Sequence, residues 1–218
     1  MKNIIIFGLG DNSELAHYYF NNDSEHKVVA FTVDKEFQDK EEFCGLPVIA
    51  FEELSSKYSQ EDNVLFIAIG YGSMNKNREN AYEKAKGQGW GFANYISSRA
   101  TVLTDSIGEN NFILEDNTIQ PFVSIGNNNV IWSGNHIGHH GTIGNNNFIT
   151  SQVTISGRVD IKNNCFIGVN SSIRDHIKIE DFTLIGAHSW ISKDTKPCEV
   201  YTAKQTPLFP KTSDRLKI

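Results

Sequence analysis

Three of the chain's seven histidines fall within five residues, in Ser133-Gly134-Asn135-His136-Ile137-Gly138-His139-His140-Gly141. Imidazole, with an ordinary pKa of about 6.5, is the side chain best suited to move a proton near neutral pH. Eighteen places beyond His139 stands Gly157. A glycine there leaves room for a ligand against the backbone, and its N–H can donate to an oxygen on which negative charge develops. A base beside such a donor suits attack of a nucleophile on an acyl carbonyl. None of the three cysteines (Cys44, Cys165, Cys198) is placed to carry the acyl group, so direct transfer is expected.

The elements that hold these residues announce themselves by a period of six. Isoleucine stands at positions 107, 113, 119 and onward without a break to Ile191, fifteen in all. Neither a helix nor an ordinary sheet keeps that phase, whereas a solenoid that turns a corner every six residues does. Residues two places before each isoleucine share its side of the strand. They are small or slim: Asn117, Val123, Asn129, Gly141, Val153, Val159, Cys165, Ser171, Thr183 and Ser189. A parallel β-helix of roughly five 18-residue coils follows, each about 4.8 Å above the last. Asparagine-rich corners at 126–129, 144–147 and 161–164 supply residues that tolerate left-handed dihedrals.

In that register His136 points outward from a strand, while His139 and His140 occupy a corner with Gly157 stacked directly on His139. Such histidines serve either as a proton acceptor over a groove or as a solvated corner. A metal is the rival chemistry. Hexapeptide proteins of the γ-carbonic anhydrase type pair histidines five apart, but positions 141 and 144 are Gly141 and Gly144, and strand and corner point differently. No metal is expected.

Ahead of the solenoid the rhythm is β-α-β. Strands are expected at Ile4–Phe7, Lys27–Val33 and Val64–Ile69, with helices over Asp11–Asn22 and Asn75–Lys86 and a further strand at Phe92–Ile96. Parallel strands with crossover helices place a ligand crevice at the strands' C-terminal ends. Gly8 and Gly10 there either admit a phosphate at a helix N-terminus or make a tight turn with no ligand. Asp34, closing the second strand, suits a ribose or base edge. Ser13 replaces the third glycine of the dinucleotide fingerprint, and three strands make only half a dinucleotide fold, which argues against a redox cofactor.

Composition sets the outer bounds. The net charge of −6 argues against nucleic acid as a main partner. From Lys193 onward the tail is +3 and the body −9; the tail is either solvated or collects an anionic cofactor's phosphates. The cysteines have no metal spacing and read as the reduced thiols of a cytoplasmic protein. No apolar run reaches membrane-spanning length.

Taken together, Ile4-Ile5-Ile6-Phe7-Gly8, Ala30-Phe31-Thr32-Val33-Asp34, Gly45-Leu46-Pro47-Val48, Ala68-Ile69-Gly70 and the solenoid with its corner histidine resemble the nucleotide-sugar acyltransferases. These comprise the sialic-acid O-acetyltransferase-like family and the bacillosamine and perosamine N-acetyltransferases of bacterial surface-glycan synthesis. The resemblance implies an α/β half-Rossmann domain over residues 1–98, a left-handed parallel β-helix over 99–195 and a basic tail over 196–218. It also implies a homotrimer with acetyl-CoA between adjacent prisms and a nucleotide-linked amino sugar reaching over from the front domain. His139 matches the family's base and Gly157 its thioester contact. Val169 and Ala187 match the coenzyme channel, while Gly8, Gly10, Asp34, Lys35, Gly70, Tyr71 and Arg78 fall on the nucleotide side. The family's acidic residue after the base is His140 here, which joins the catalytic pair. Its second, acetyl-contacting histidine is Phe148, which is placed accordingly at the acyl pocket. The expected activity is N-acetylation. Sugar O-acetylation on the same machinery, and a non-catalytic trimeric scaffold sensing nucleotide sugars, are the alternatives. A monomer would break this picture, because the apolar outward residues Phe112, Val130, Phe148 and Trp190 are expected to meet a neighbouring copy.

Overall fold

The isoleucine grid closes into a triangular prism. The computed structural model describes residues 2–215; Met1, the Lys217 end of the basic tail and the side chain of Arg215 lie outside the described residues. Every grid isoleucine from Ile113 to Ile191 is buried, none more than 4% exposed, and Ile107 at the open first turn is partly buried against them. The strands are only two residues long and stack in parallel into three faces of a left-handed β-helix. The first face runs from Tyr95–Ile96 through Phe112–Ile113, Val130–Ile131, Phe148–Ile149, Phe166–Ile167 and Leu184–Ile185 to Val200–Tyr201. The second runs from Thr101–Val102 through His136–Ile137 to Trp190–Ile191, and the third from Ser124–Ile125 to Lys178–Ile179.

Each corner is made the same way. The third residue after each grid isoleucine adopts positive φ along most of the solenoid, among them Asn128, His140, Asn146, Arg158 and His176. Asparagine tolerates that conformation best, because its short amide bonds locally. At the edge between the third and first faces the asparagines also form ladders. Asn147 N–H donates to Asn129 Oδ1 at 2.8 Å, and Asn129 N–H to Asn111 Oδ1 at 3.1 Å. Each such bond contributes about 1 kcal/mol and, more importantly, gives the buried amides it joins a partner.

The front domain is a five-stranded sheet in which β1 (Asn3–Phe7), β2 (Val28–Val33), β4 (Leu46–Ala50) and β5 (Asn63–Ile67) are parallel. β3 (Glu42–Phe43) pairs antiparallel on the edge, giving the order β3-β4-β2-β1-β5. Helix α1 (Asp11–Asn22) has the expected bounds, and α3 covers Lys76–Gly87. The β3–β4 hairpin and α2 (Phe51–Lys57) depart from the expectation: β3 is two residues long, Pro47 interrupts the apolar run of β4, and α2 spans only seven residues. Phe92–Ile96 divides its allegiance: Phe92 bridges Leu65 of β5, while Tyr95–Ile96 opens the first face of the solenoid. The chain therefore passes from one sheet to the other without a free linker.

One side of the sheet, with Ala16 and Phe20 of α1, packs on Phe112, Val130 and Phe148 of the first face in a continuous core. This corrects the expectation that those residues meet a neighbouring copy. They are 3%, 6% and 3% exposed because the chain's own front domain covers them, and of the four only Trp190 remains open, at 62%. Among the described residues no helix is long and apolar enough to cross a membrane.

Candidate active site

Two sets of residues stand apart on the fold. The first is a crevice at the point where the strand order reverses between β1 and β5, where open α/β sheets bind ligands. Gly8, Leu9, Gly10, Asp11, Asn12, Ala68, Ile69, Gly70 and Tyr71 line a cavity of about 380 Å³ there. An adjoining one of about 410 Å³ shares Gly8 and Ile69 and reaches Asp34, Asn77, Asn80 and Lys84. Five expected residues, Gly8, Gly10, Asp34, Gly70 and Tyr71, thus come together. Gly8 has φ +128°, and a Cβ on it would stand 2.5 Å from Ser13 Oγ and 3.2 Å from the Ala68 carbonyl. Ser13, in place of a third glycine, is buried and donates to the Ala68 oxygen at 3.2 Å, locking the turn. Asp34 accepts from Lys84 Nζ at 2.7 Å, and Lys84 also reaches Glu52 at 3.0 Å. Burial pulls the Lys84 ammonium down, but the two carboxylates outweigh it and hold the group above its ordinary value. Lys35 is turned aside toward Glu53 at 3.8 Å and does not line the crevice.

Arg78 is a correction. Expected on the substrate, it is 0% exposed and points into the seam between the domains. Its guanidinium donates to the carbonyls of Gly70 (3.1 Å), Asn128 (3.1 Å), Asn146 (2.9 Å) and Asn147 (3.1 Å) and to Asn75 Oδ1 (3.2 Å). Burial lowers it to about 9, still charged at neutral pH. It fastens the loop after β5 to the asparagine edge of the solenoid. Phe148 is a second correction. It lies in the same seam, stacked on Phe166 at 5.8 Å and 12°, with Tyr71 edge-on at 5.1 Å. No acyl pocket can form on a side chain its own front domain has sealed.

The second set lies on the opposite side of the prism, at the edge between the second and third faces. The His139 ring fills the space in front of Gly157: a Cβ there would stand 2.9 Å from Cε1, 3.0 Å from Nε2 and 3.3 Å from Nδ1. The bare backbone at Gly157 therefore accommodates the histidine, rather than leaving the gap for a ligand. Among the described residues the Gly157 N–H has no hydrogen-bond partner, so a base and an unused donor sit side by side. His139 Nδ1 faces His140 Nδ1 at 3.0 Å, with the rings at 89°. Gln120 Oε1 accepts the His139 backbone N–H at 2.9 Å, and Phe122 packs on His140 at 4.6 Å. His140 is held below the ordinary histidine value by lost solvation, then by Arg158 and His139. The His176–Asp175 pair, 2.7 Å apart, continues the same edge. Gln120, Phe122 and Arg158 were missed in the sequence, although the 18-residue stacking that joins His139 to Gly157 also aligns Phe122, His140 and Arg158. His136 stands exposed on the second face, flanked by Thr118 and Thr154. Among the described residues no group of three His, Cys, Asp or Glu could hold a metal. Cys165 is buried and its thiol pushed up to about 12, too high for a nucleophile at neutral pH.

Val169 and Ala187 occupy a third place, exposed on the edge between the first and second faces. One prism therefore presents the crevice, His139 and the Val169–Ala187 column on separate sides.

A family model described as bacterial transferase hexapeptide (six repeats) matches residues 106–139. The matched residues lie within the first coils of the solenoid. Comparison with curated protein sequences gives no match. Among solved structures, the chain is similar to the acetyltransferase domain of PglB from Neisseria gonorrhoeae FA1090, with a TM-score of 0.80 and 18% identity over 92% of this chain and 96% of that one. It is also similar to PerB from Caulobacter crescentus, solved in complex with CoA and GDP-perosamine (TM-score 0.77, 21% identity, 93% and 92% covered). WeeI from Acinetobacter baumannii AYE follows, at 0.74 and 17% identity over 92% and 94%. The match to these structures spans the front domain and the solenoid together, which establishes the two-domain fold beyond the repeat.

Proposed function

We propose that the protein transfers an acetyl group from acetyl-CoA to an amine of a nucleotide-linked deoxy sugar. The observation that carries this reading is the edge at His139, where an imidazole nitrogen and the unpartnered Gly157 N–H stand together. That pairing fits a thioester, because acyl transfer needs a base for the nucleophile and a donor for the carbonyl oxygen. The small side chain of Ala187 and the exposed Val169 suit a channel for the coenzyme's chain. PerB, which shares the fold, was solved with CoA and GDP-perosamine, and the PglB domain with acetyl coenzyme A.

In this mechanism the neutral amine attacks the thioester carbon. A C–N bond forms, the C–S bond breaks, and coenzyme A leaves as a thiolate that takes up the proton His139 has collected. His139 takes the amine proton on Nε2, while the Gly157 N–H steadies the charge growing on the oxygen. The crevice at Gly8, Gly10, Gly70 and Tyr71, with Asp34 at its far end, holds the nucleotide.

We further propose a homotrimer. The crevice and His139 lie on opposite sides of one prism, so they can serve one substrate only where two copies meet. The same holds for Val169 and Ala187, which share no edge with Gly157. The reading places the protein in the cytoplasm, where acetyl-CoA and nucleotide sugars are found and where the thiols of Cys44, Cys165 and Cys198 stay reduced. The test is incubation with acetyl-CoA and a panel of nucleotide-linked amino sugars, read by mass spectrometry. An acetylated amine supports the proposal; acetylation only of sugars lacking an amine would replace it with O-acetylation.

A further inference from the structure

Two imidazole nitrogens 3.0 Å apart can share one proton and only one, since two N–H groups would collide and two lone pairs would repel. The pair at His139 and His140 is therefore directional. When His139 has taken a proton on Nε2 it carries N–H on both ring nitrogens, and the proton on Nδ1 must find an acceptor. In this structure the atom there is His140 Nδ1. We propose that His140 is a positioning residue that accepts the Nδ1 proton of His139, so that His139 keeps Nε2 free to take the substrate's proton. The inference rests on the acyl-transfer reading above but concerns a property of the pair measurable without any substrate.

Three features fix His140 for this task. Its φ of +57° belongs to the left-handed corner position that recurs along this edge at Phe122, Arg158 and His176. Phe122, one coil away, packs on its face at 4.6 Å and 38°. Its own backbone N–H is held toward the Pro121 carbonyl at 3.4 Å. Arg158 and His139 are the charged or titratable groups acting on it, with Phe122 apolar against it and the Asp175–His176 pair further along the edge. Arg158 favours a neutral ring, and only a neutral imidazole keeps a lone pair to accept with. A carboxylate would orient His139 equally well but would bind the proton electrostatically. A neutral acceptor orients it without raising its basicity as far, which leaves the base unprotonated at lower pH.

A proton on His139 Nε2 blocks the acceptor nitrogen that turnover needs, so an acid limb in kcat is expected in the wild type. His140→Gly removes the ring without strain at positive φ. It should lower kcat by about 10–100-fold, part of the 10²–10⁴-fold general-base contribution, and move the acid limb to lower pH. His140→Asn also suits positive φ, and its Oδ1 can accept, so it should recover most of the turnover. His140→Asp should move the limb to higher pH. Independently of activity, ¹⁵N–¹H spectra of the wild type should show His139 protonated on Nδ1, and this should be lost in His140→Gly. A His139 protonated on Nε2 in the wild type overturns the proposal, as does a His140→Gly variant with unchanged rate and limb. If no panel sugar is acetylated, the functional reading fails while the tautomer result still judges the pair.

Discussion

Replacing Gly157 with alanine separates the site's geometry from the solenoid's stability. Gly157 has no left-handed φ, so alanine is allowed by the backbone and even removes freedom from the unfolded chain, worth about 0.4–1 kcal/mol. The new Cβ would nevertheless stand 2.9–3.3 Å from three atoms of the His139 ring, against an optimum of about 3.5–4.0 Å. The ring is exposed and can swing, so the neighbour that yields is the base, displaced by roughly half an ångström to one ångström. Misplacement on that scale costs about 10²-fold in rate. The expected outcome is kcat down about a hundredfold with an unchanged or slightly raised melting temperature. Gly138→Ala is the contrast, because its Cβ would meet the Gly157 nitrogen and Ser156 carbon at 2.6 Å, which are backbone and cannot swing. That variant should lose stability. Steady-state turnover alongside thermal unfolding reads both. A Gly157→Ala enzyme with wild-type kcat, or one that loses its rate only by unfolding, would refute the placement of His139.

The seam between the domains should depend on Arg78. Arg78→Met strands several buried carbonyls and should cost about 3–5 kcal/mol in urea unfolding; a loss below about 1 kcal/mol would contradict its fastening role. Asp23 accepts from Tyr95, Ser97 and the Ser98 N–H, and bonding to Ser98 first, then Tyr95, holds its carboxyl at about 2. A depressed folded pKa means that stabilisation is complete above the unfolded value of about 3.9 and lost as pH falls through about 2. Asp23→Asn should therefore flatten the stability curve between pH 4 and 2, by about 1 kcal/mol after solvent screening; an unchanged curve would show that the contacts do not couple to protonation. Mixing two inactive variants tests the shared site: His139→Ala and Gly10→Asp, refolded together, should regain activity that neither has alone. Gly10 suits this because a side chain there meets nothing within 4 Å. No recovery in mixed oligomers would place crevice and base in separate functions.

Most of the solenoid was legible because a six-residue period has one structural solution, and its isoleucines and small partners landed inside. The edge at His139 followed from the same arithmetic, since eighteen residues make one coil. What failed was judging which outward residues meet water. Phe112, Val130 and Phe148 point out of the prism as expected, but periodicity says nothing of what then covers them, and the front domain does. Arg78 misled for a related reason. A cation near a crevice suggests a ligand, yet only the fold reveals the row of corner carbonyls that holds it. The role of Gly157 is half visible in the sequence: a missing side chain implies room, and in the fold the neighbouring His139 ring occupies it. The two-residue β3 and seven-residue α2 escaped because few residues carry their pattern, and β4 because Pro47 interrupts its apolar run.

The decisive step in this chemistry is the transfer of a proton from a sugar amine to His139 as acetyl-CoA yields its acyl group. Single-turnover mass spectrometry of wild type and His139→Ala, with acetyl-CoA and the best nucleotide-linked amino sugar of the panel, tests it most directly. The expected result is one acetyl group on the amine with coenzyme A released, and a rate about 10²–10⁴-fold lower in the variant. A His139→Ala enzyme as fast as the wild type, or no acetylated amine from any sugar offered, would contradict it.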